Sequence, residues 1–379
     1  MHICFNGWFW DQPHTGSGQY LRQLLANLVK VRPDLSLTLI LPAHIPADDL
    51  PQGVRALHTG TVRSSRLGKV WFEQVAFPRA AAQSGADLAH VPYWGGPLSC
   101  RLPLVVSVLD VIPLIYPVYA LGAANRLYLS LVQTSARQAD HLITISQTSK
   151  LDIEYWLDVP KERISVTYLA ADEAFHPRLG RESDEAVRAK YTLPERFILY
   201  LGGYDQRKQV GALLEAYTYL KLTSEANLPL VLVGKKPAFD PPLFPDVDAL
   251  ARELGVDDVL HWVGPVDEAD KPALYRMAEV FVFPSVYEGF GLPPLEALAC
   301  GTPVVAWDTT INDEILEGAA YLVDSPRNLA AAIIALIGQK PFREAMVNQG
   351  LALATRYHWR KTAKQTIQVY ESLLKHRTT

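Results

Sequence analysis

The sequence predicts an α/β protein made of two domains, each built on a doubly wound parallel sheet. Three observations support this prediction. The chain has 379 residues, of which 49% are apolar and 20% are charged. Because a single hydrophobic core stops growing at roughly 250–300 residues, two domains are expected. Short apolar runs rich in β-branched residues alternate with helical patterns along the chain, which is typical of βαβ units.

The first half of the chain contains six predicted strands. Their nearly continuous apolar character indicates burial on both faces of a sheet. The strands are predicted at His2–Asn6, Leu35–Leu41, Asp87–Pro92, Leu104–Leu109, His141–Ile145 and Ile164–Tyr168. The helices between them are predicted at Ser17–Val31, Lys69–Gln83 and Ala123–Ala139. Residues 1–176 are therefore expected to form one Rossmann-like domain.

The same alternation returns in the second half. A polar interval over residues 172–196 interrupts the strand rhythm, carries two prolines and is predicted to be the interdomain linker. The strands after it are predicted at Phe197–Leu201, Leu228–Val233, Val259–Val263, Val280–Phe283, Pro303–Ala306 and Ala320–Val323. The helices are predicted near Val210–Lys221, Ala269–Glu279, Pro294–Ala299 and Asn328–Ile337. Residues 190–359 are expected to form a second Rossmann-like domain.

The C-terminal residues 360–379 are predicted to form a further helix. Its apolar side chains fall on one helical stripe, and Lys and Arg occupy the other side. The stripe consists of Trp359, Ala363, Ile367, Tyr370 and Leu374. Such a stripe needs a core to cover and could lie on either domain; we expect it to pack back on the first.

Charge and cysteine content narrow the function classes. The chain has 36 Lys and Arg against 40 Asp and Glu, a net charge of −4, which argues against a nucleic-acid partner, although a local basic patch stays open. The three cysteines are far apart, so neither a zinc site nor a disulfide framework is expected, and a cytoplasmic protein is predicted. The N-terminus is predicted to be a strand and not a signal peptide. Prolines break the apolar stretch Leu102–Ala124, which predicts a buried strand there instead of a membrane span.

The segment Pro284–Ala297 carries the strongest motif. A predicted strand ends at Pro284, a glycine-flanked loop follows, and a helix opens at a pair of prolines. Glycines let a backbone approach a ligand closely, and helix N-terminal amides bind phosphate, so a diphosphate fits this place. Glu296 follows Glu288 by eight residues, so both carboxylates can face one pocket, where Glu296 would accept hydrogen bonds from sugar hydroxyls. An ordinary turn, with Glu296 complementing the helix dipole, is the alternative.

This motif leads to a family resemblance. The string EGFGLPPLEALACGTPVVA, with YLGGYDQRKQVGALLEAY at Tyr200–Tyr217 before it, resembles the retaining nucleotide-sugar glycosyltransferases of family 4, and most of all its mannosyltransferases. The resemblance implies the GT-B fold, in which two Rossmann-like domains with parallel sheets face a central cleft. It also implies that Glu288 contacts the donor sugar as a catalytic residue and that Glu296 binds the ribose. The remaining donor-binding residues it implies are Arg207 and Lys208 as a diphosphate clamp, and Phe290, Gly291 and Leu292, whose amides hold the distal phosphate.

The first domain matches the family more loosely. Gly16 and Gly18 lie in a loop similar to the family's glycine loop facing the diphosphate, although such a loop alone indicates only a turn before an N-cap at Ser17. Asp110 is expected to be catalytic, with a strand-end cap as the alternative. Leu109 stands where the family usually has a histidine. His14 or His90 could supply an imidazole, although a structural or exposed role is the more common one.

The resemblance implies an enzyme that moves a hexosyl group, expected to be mannosyl, from a nucleoside-diphosphate sugar to a sugar or lipid-linked acceptor with retention. GDP-mannose is the expected donor and UDP-glucose the next. No metal or other cofactor is expected, because two cations can offset the leaving-group charge.

The aromatic cluster Trp8, Phe9 and Trp10 could stack on a sugar or touch the inner face of a membrane, or could fill the core. A phosphorylase or epimerase of the same fold, or a sugar-nucleotide-binding protein without turnover, are the alternatives; the oligomeric state stays open.

Overall fold

A computed structural model of the chain describes residues 1–60, 64–178, 181–223 and 226–378. The chain divides into two compact units. Unit 1 comprises Met1–Leu169 and His358–Thr379, and unit 2 comprises Ala170–Tyr357. Each unit has its own wholly parallel sheet, of seven and six strands respectively, and the predicted α/β class with two Rossmann-like domains is confirmed.

The sheet of unit 1 reverses its strand order between its first and fourth strands. The strands are β1 (His2–Asn6), β2 (Ser36–Leu41), β3 (Val54–His58), β4 (Leu88–Val91), β5 (Leu104–Ser107), β6 (His141–Thr144) and β7 (Ile164–Val166). They lie in the order β3-β2-β1-β4-β5-β6-β7. In an open parallel sheet the crevice beyond the carboxyl ends at such a reversal is the usual ligand site.

Six helices of unit 1 connect these strands. They are α1 (Gly16–Val31), α2 (Arg66–Trp71), α3 (Phe77–Gln83), α4 (Ile112–Ile115), α5 (Ala123–Gln138) and α6 (Gln147–Leu157). A π-helical turn, Phe72–Ala76, joins α2 to α3, where the sequence predicted one continuous helix. This wider turn brings Phe72, Glu73 and Phe77 to fully buried positions.

Unit 2 repeats the doubly wound plan. Its strands are β8 (Ile198–Leu201), β9 (Leu230–Val233), β10 (Leu260–Gly264), β11 (Val280–Phe283), β12 (Val304–Trp307) and β13 (Tyr321–Val323). The order β10-β9-β8-β11-β12-β13 reverses between β8 and β11. The helices are α7 (Arg181–Lys190), α8 (Val210–Leu220), α9 (Val247–Leu254), α10 (Lys271–Met277), α11 (Leu292–Ala299), α12 (Thr310–Leu316), α13 (Pro326–Gly338) and α14 (Lys340–Ala354).

The interval over residues 172–196 differs from the free linker that its polarity suggested. It contains α7, and Asp184 on that helix is buried. Both oxygens of Asp184 accept hydrogen bonds from the Arg276 guanidinium, at 2.5 and 3.2 Å. Pairing with a guanidinium allows a carboxylate to be buried even in a polar segment. The partner, Arg276, lies 92 residues away in the chain, so the local sequence does not reveal the pairing. The interval therefore belongs to unit 2.

The last helix, α15 (Trp359–Thr378), lies in unit 1. Its predicted stripe is turned inward, since Ala363 and Tyr370 are fully buried. The Tyr370 hydroxyl lies 2.6 Å from Nδ1 of His90 on β4, and Nε2 of the same ring lies 2.8 Å from Ser107 Oγ on β5. Burial lowers the pKa of His90 to about 3, so this histidine is neutral at physiological pH.

Two further expectations concern membranes and metals. Within the described ranges, no helix has the length and apolar character needed to cross a bilayer. The stretch Leu102–Ala124 instead contains β5, α4 and a short 3₁₀ turn. Across the same described residues, no group of three or more His, Cys, Asp or Glu side chains is arranged to hold a metal ion.

Candidate functional site

Two loops of unit 2 meet where the strand order reverses. One follows β8 and forms a 3₁₀ turn, Gln206–Lys208, and the other follows β11. The amide of Val286 donates to the Arg207 carbonyl at 3.0 Å, which ties the two loops together. Because β8 and β11 are neighbours in the sheet, residues about 80 positions apart in the chain share one site.

Glu288 is the centre of an ion cluster formed by these loops. Its Oε1 lies 2.5 Å from Lys208 Nζ, 2.7 Å from an Arg207 amino nitrogen and 2.6 Å from Ser285 Oγ. Asp205 lies 3.6 Å from Arg207 Nε, so the two cations face two carboxylates. Burial alone would raise the pKa of Glu288, but Lys208 and Arg207 outweigh it and the pKa is lowered. Glu288 is therefore ionised at neutral pH.

The N-terminus of α11 lies directly after this cluster. Gly291 caps the helix in a left-handed conformation, φ 91°, which favours glycine, and no side chain caps this end. Phe290 is buried and packs edge-on against Tyr357, with ring centroids 5.9 Å apart. Leu292 begins the helix. The amides of this turn are suited to a phosphate group, because the helix dipole places partial positive charge there.

Glu296 occupies a different environment from Glu288. The helix begins at Leu292, two residues before the predicted start at Pro294, so Glu296 follows the first turn. It is buried and accepts a hydrogen bond of 2.9 Å from the Tyr275 hydroxyl. Burial raises the pKa of Glu296 to about 7, against the opposing effects of Lys271 and Tyr275. Glu296 thus titrates near neutral pH, whereas Glu288 does not.

Unit 1 has a cavity of about 480 Å³ at the carboxyl edge of its sheet. Gly16 lines this cavity at the start of α1, and Leu109 and Asp110 line it after β5. Asp110 Oδ1 also accepts from the Ile112 amide at 3.1 Å, the capping role considered as the alternative. His14 is exposed, and His90 is held in the buried network with Tyr370.

The aromatic cluster near the N-terminus lies mostly in the core. Trp8 is 8% exposed and Trp10 only 1%, which excludes a lipid contact through these two rings. Phe9 lines the cavity and packs edge-on against Tyr93, with centroids 4.8 Å apart. The two tryptophans therefore pack in the core, and of the three rings Phe9 is the one that faces the cavity.

The glycine loop of unit 1 differs from the prediction at its cap. Thr15, not Ser17, is the N-cap of α1, and its Oγ1 accepts from the Gly18 amide at 3.1 Å. Thr15 has the extended backbone that an N-cap requires, whereas Ser17 is already helical. A Cβ on Gly18 would lie 1.9 Å from the Gln12 carbonyl oxygen, so this glycine is required for the loop to close.

Replacing the two glycines separately tests this loop. We expect Gly18→Ala to destabilise the protein by about 2 kcal/mol or more, because the added methyl group meets backbone that cannot move aside cheaply. Gly16→Ala is the matched control, since its Cβ would meet open space, and we expect a change within about 0.5 kcal/mol. Urea unfolding of both variants measures the difference, and equal stabilities would contradict the steric argument.

Sequence reasoning missed one part of the cavity wall. Lys69 and Tyr128 line the cavity, and Glu73 lies behind them. The sequence did contain one indication, because Glu73 is the only charged residue in the apolar helical segment Val70–Phe77. Burial of an unpaired carboxylate is costly, so a Glu in such a segment suggests a partner close by.

Comparison with known proteins places this geometry among glycosyl transferases. Residues 183–352 match the family "Glycosyl transferases group 1", and residues 15–170 match "Glycosyl transferase 4-like domain". The O-antigen chain mannosyltransferase B of Escherichia coli is 31% identical over 376 residues, covering 95% of this chain and 97% of that protein.

Two solved structures share the fold over nearly the whole chain. Sucrose-phosphate synthase from Thermosynechococcus elongatus has a TM-score of 0.76 and 22% identity, covering 99% of this chain and 100% of that one. HepE from Anabaena, solved in complex with UDP-glucose, has a TM-score of 0.70 and 18% identity, covering 98% and 100%.

Proposed function

We propose that this chain, which belongs to the group 1 glycosyl transferases of the GT-B fold, transfers a mannosyl group from GDP-mannose to an acceptor with retention of configuration. The proposed acceptor is a sugar or a lipid-linked sugar. The observation that carries the proposal is the cluster of Arg207, Lys208 and Glu288 beside the N-terminus of α11. The mannosyltransferase name of the full-length relative favours a mannosyl donor. The UDP-glucose in the Anabaena structure makes that donor the second candidate.

Arg207 and Lys208 would bind the donor diphosphate. Lys208 is paired with Glu288 at 2.5 Å, so a bound diphosphate replaces the carboxylate as its partner. The α11 amides near Gly291 and Leu292 would hold the distal phosphate. Two preorganised cations stabilise negative charge on the departing nucleoside diphosphate, and this role needs no metal ion. We therefore expect turnover to persist in EDTA.

Glu288 would contact the donor sugar once Lys208 has turned to the phosphates. In the proposed front-face reaction the bond between the anomeric carbon and the phosphate oxygen breaks, and an acceptor oxygen bonds to the same face. The acceptor proton passes to the departing phosphate. The ionised carboxylate of Glu288 stabilises positive charge that develops on the sugar ring. Asp110 in unit 1 is proposed as a second catalytic carboxylate.

An assay with labelled donors tests the proposal. Purified protein is incubated with GDP-mannose or UDP-glucose and with mannosides as acceptors, and NMR assigns the anomeric configuration of the product. We expect an α-mannoside from GDP-mannose. Transfer to inorganic phosphate alone would identify a phosphorylase, and donor binding by calorimetry without any turnover would identify a binding protein. Either result overturns the proposal.

Glu296 is proposed to accept hydrogen bonds from the ribose. We expect Glu296→Gln to raise the Kd of GDP about tenfold, because a hydrogen bond to a charged group contributes about 1.5–3 kcal/mol and an amide only part of that. Since the ionised form binds and the pKa is about 7, the affinity of the wild type should fall as the pH falls below 7. The variant should keep only the dependence that comes from the terminal phosphate of GDP, whose second pKa is about 6. Tyr275→Phe keeps the carboxylate but removes the hydrogen bond that opposes its raised pKa, so its pH dependence should persist and shift to higher pH. Calorimetry from pH 6 to 8 measures both variants.

We also propose that unit 1 contacts an anionic membrane surface, where a lipid-linked acceptor would reside. Leu67 and Trp71 on α2 and Leu127 on α5 are 83%, 54% and 74% exposed. Arg66 on α2 contacts Asn125 on α5 at 3.5 Å, so the two helices are neighbours. Together α2 and α5 contain three arginines and one lysine and no acidic residue, which complements anionic lipid.

Vesicle sedimentation tests the membrane contact. We expect binding to phosphatidylglycerol vesicles and little binding to phosphatidylcholine vesicles. The double variant Leu67→Glu and Leu127→Glu should lose most of it, because two charges replace apolar side chains that would be buried in the interface. Leu222→Glu, the same change at a residue of unit 2 that is 83% exposed, is the matched control. Unchanged binding by the double variant would exclude this surface.

A further inference from the structure

Glu73 is a fully buried carboxylate behind the wall of the unit 1 cavity, and it lies on the π-helical turn between α2 and α3. The Tyr128 hydroxyl donates a hydrogen bond to Glu73 Oε1 at 3.1 Å, and Lys69 Nζ lies 3.7 Å from the same oxygen. Gly95 leaves the room for this carboxylate, since a Cβ there would lie 2.6 Å from Glu73 Oε1. Single π-helical turns occur often at functional sites, because an extra residue redirects the side chains around it.

Lys69 is held in a defined position beside this carboxylate. Its Nζ lies 5.0 Å from the ring centroid of Phe9, 5.4 Å from that of Tyr93 and 5.1 Å from that of Tyr128. Attraction between a cation and three aromatic faces restricts the motion of a long side chain. Lys69 lines the cavity, and an ammonium group has three N–H donors, of which Glu73 can take only part. Donors therefore stay available on the cavity side.

A purely structural role explains this arrangement poorly. Replacing a buried ion pair by apolar side chains is often neutral or stabilising, so such a pair is weak evidence for a contribution to stability. Here Lys69 lines a cavity of about 480 Å³, with Glu73 behind it, and this volume is within the usual range for small-molecule sites. The other lining residues include the aromatic rings of Trp94 and Tyr119 and the carboxylate of Asp110.

The charged groups at the cavity favour a neutral sugar as acceptor over a phosphorylated or carboxylated one. Lys69 contributes one positive charge, and Asp110 and Glu73 contribute up to two negative charges. The site is therefore not net positive, and a phosphorylated or carboxylated ring would meet the acidic group of Asp110 in the cavity lining. A neutral sugar ring fits this composition, because its C–H face packs on aromatic rings and its hydroxyls pair with an ammonium and a carboxylate.

We propose that the unit 1 cavity binds a neutral saccharide ring of the acceptor, that Lys69 donates a hydrogen bond to one of its hydroxyls, and that Glu73 positions Lys69. This inference rests on the proposed glycosyl transfer and specifies the acceptor class. Lys69 is a binding residue, and Glu73 is a positioning residue that acts through it.

Direct binding tests the cavity without requiring turnover. Methyl α-mannopyranoside and mannose 6-phosphate are titrated into the full chain, with saturation-transfer NMR as the readout. We expect the neutral probe to bind, and Lys69→Met to weaken its binding about tenfold or more, the loss of one charge-assisted hydrogen bond. Lys161→Met, an exposed lysine of the same unit, is the matched control. Preferred binding of mannose 6-phosphate, or no effect of Lys69→Met, overturns the proposal.

The positioning role of Glu73 predicts a pH signature. Burial raises the pKa of Glu73 to about 7, opposed by Lys69 and by the hydroxyls of Tyr93 and Tyr128, the polar groups that face it from α2, from the loop after β4 and from α5. In the wild type, saccharide affinity should fall as the pH drops from 8 to 6, because the protonated carboxyl no longer holds the ammonium. Glu73→Gln should bind more weakly at pH 8 and show no pH dependence. A variant that retains the wild-type pH profile contradicts the positioning role.

The two proposals fail in different ways. If the protein transfers no sugar from any nucleotide donor yet binds methyl α-mannopyranoside through Lys69, the glycosyl transfer fails and the saccharide site stands. If it transfers mannose normally while Lys69→Met leaves the acceptor KM unchanged, the transfer stands and the cavity assignment fails. Circular dichroism of each variant verifies that the fold is intact before either comparison.

Discussion

Glu288→Gln is expected to lower turnover by about 10²–10³-fold, the range found when one preorganised electrostatic contact to a transition state is removed. Donor affinity should change far less. Lys208 is bonded to Glu288 at 2.5 Å in the structure, and a diphosphate must take over this cation on binding. With the charge removed from Glu288, the diphosphate meets less competition, so we expect the donor Kd to stay equal or to decrease.

The prediction is specific because it requires a large fall in kcat with little change in the Kd of the donor. Asp205→Asn is the matched control: it removes a carboxylate 3.6 Å from Arg207 but leaves Glu288 in place. Steady-state kinetics give kcat, and calorimetry with GDP-mannose gives Kd. A parallel loss of both in Glu288→Gln would mean that Glu288 serves to build the donor site and not to stabilise the transition state.

His90 is expected to reduce the stability of unit 1 on mild acidification, whereas the raised pKa of Glu73 in the same unit acts in the opposite direction, so the effect of His90 is seen by comparison with a variant that lacks the ring. The pKa of this histidine is about 3 in the folded protein, against about 6.5 when unfolded. Because the pKa is lower in the folded protein, the contribution of His90 to stability is complete when the pH is above about 6.5, the unfolded pKa. The contribution is lost as the pH falls from about 6.5 towards 3. Each pH unit in that window removes about 1.4 kcal/mol, so the contribution of His90 to the free energy of unfolding falls by roughly 2 kcal/mol between pH 7 and pH 5.

Hydrogen exchange of the β4 and β5 amides measures the stability of this unit. Between pH 7 and pH 5 the wild type should lose about 2 kcal/mol more than His90→Gln, which carries no titrating ring. The variant is expected to be less stable at pH 7 by about 1 kcal/mol, because its amide fits the bonds to Ser107 and Tyr370 less well. His14→Gln, at an exposed position, serves as control. Equal losses in wild type and His90→Gln would rule out His90 as the source.

Most strands were predictable because a strand buried on both faces is a short apolar run. His2–Asn6 and Val280–Phe283 are predicted to the residue, and the other predicted strands differ from the structure mainly at their ends. The edge strand Val54–His58 was missed, since its half-exposed residues VRALH lack such a run. Helices α9, α12 and α14 were also missed, and each begins at a polar or proline-containing turn that resembles a loop.

The donor-binding motif was predictable in part. Glycine and proline at 289–294 indicate a loop that leads into a helix, and the structure places a left-handed Gly291 there. The contact of Glu288 with Lys208 could not be read from spacing, because it joins residues 80 positions apart through the pairing of β8 with β11. The cap at Thr15 also depended on local backbone angles that Ser17 could equally have adopted.

The sequence by itself determined the two parallel-sheet domains, the inward stripe of α15 and the segment that carries Glu288 and Glu296. These follow from local composition, because apolar periodicity and turn residues act over a few neighbouring positions. Only the tertiary structure decided the ionisation of the carboxylates. Glu288 is held ionised by two cations, whereas Glu296 and Glu73 titrate near pH 7 because burial outweighs their partners. A pKa depends on desolvation and on charges brought close by folding, and neither is present in the order of residues.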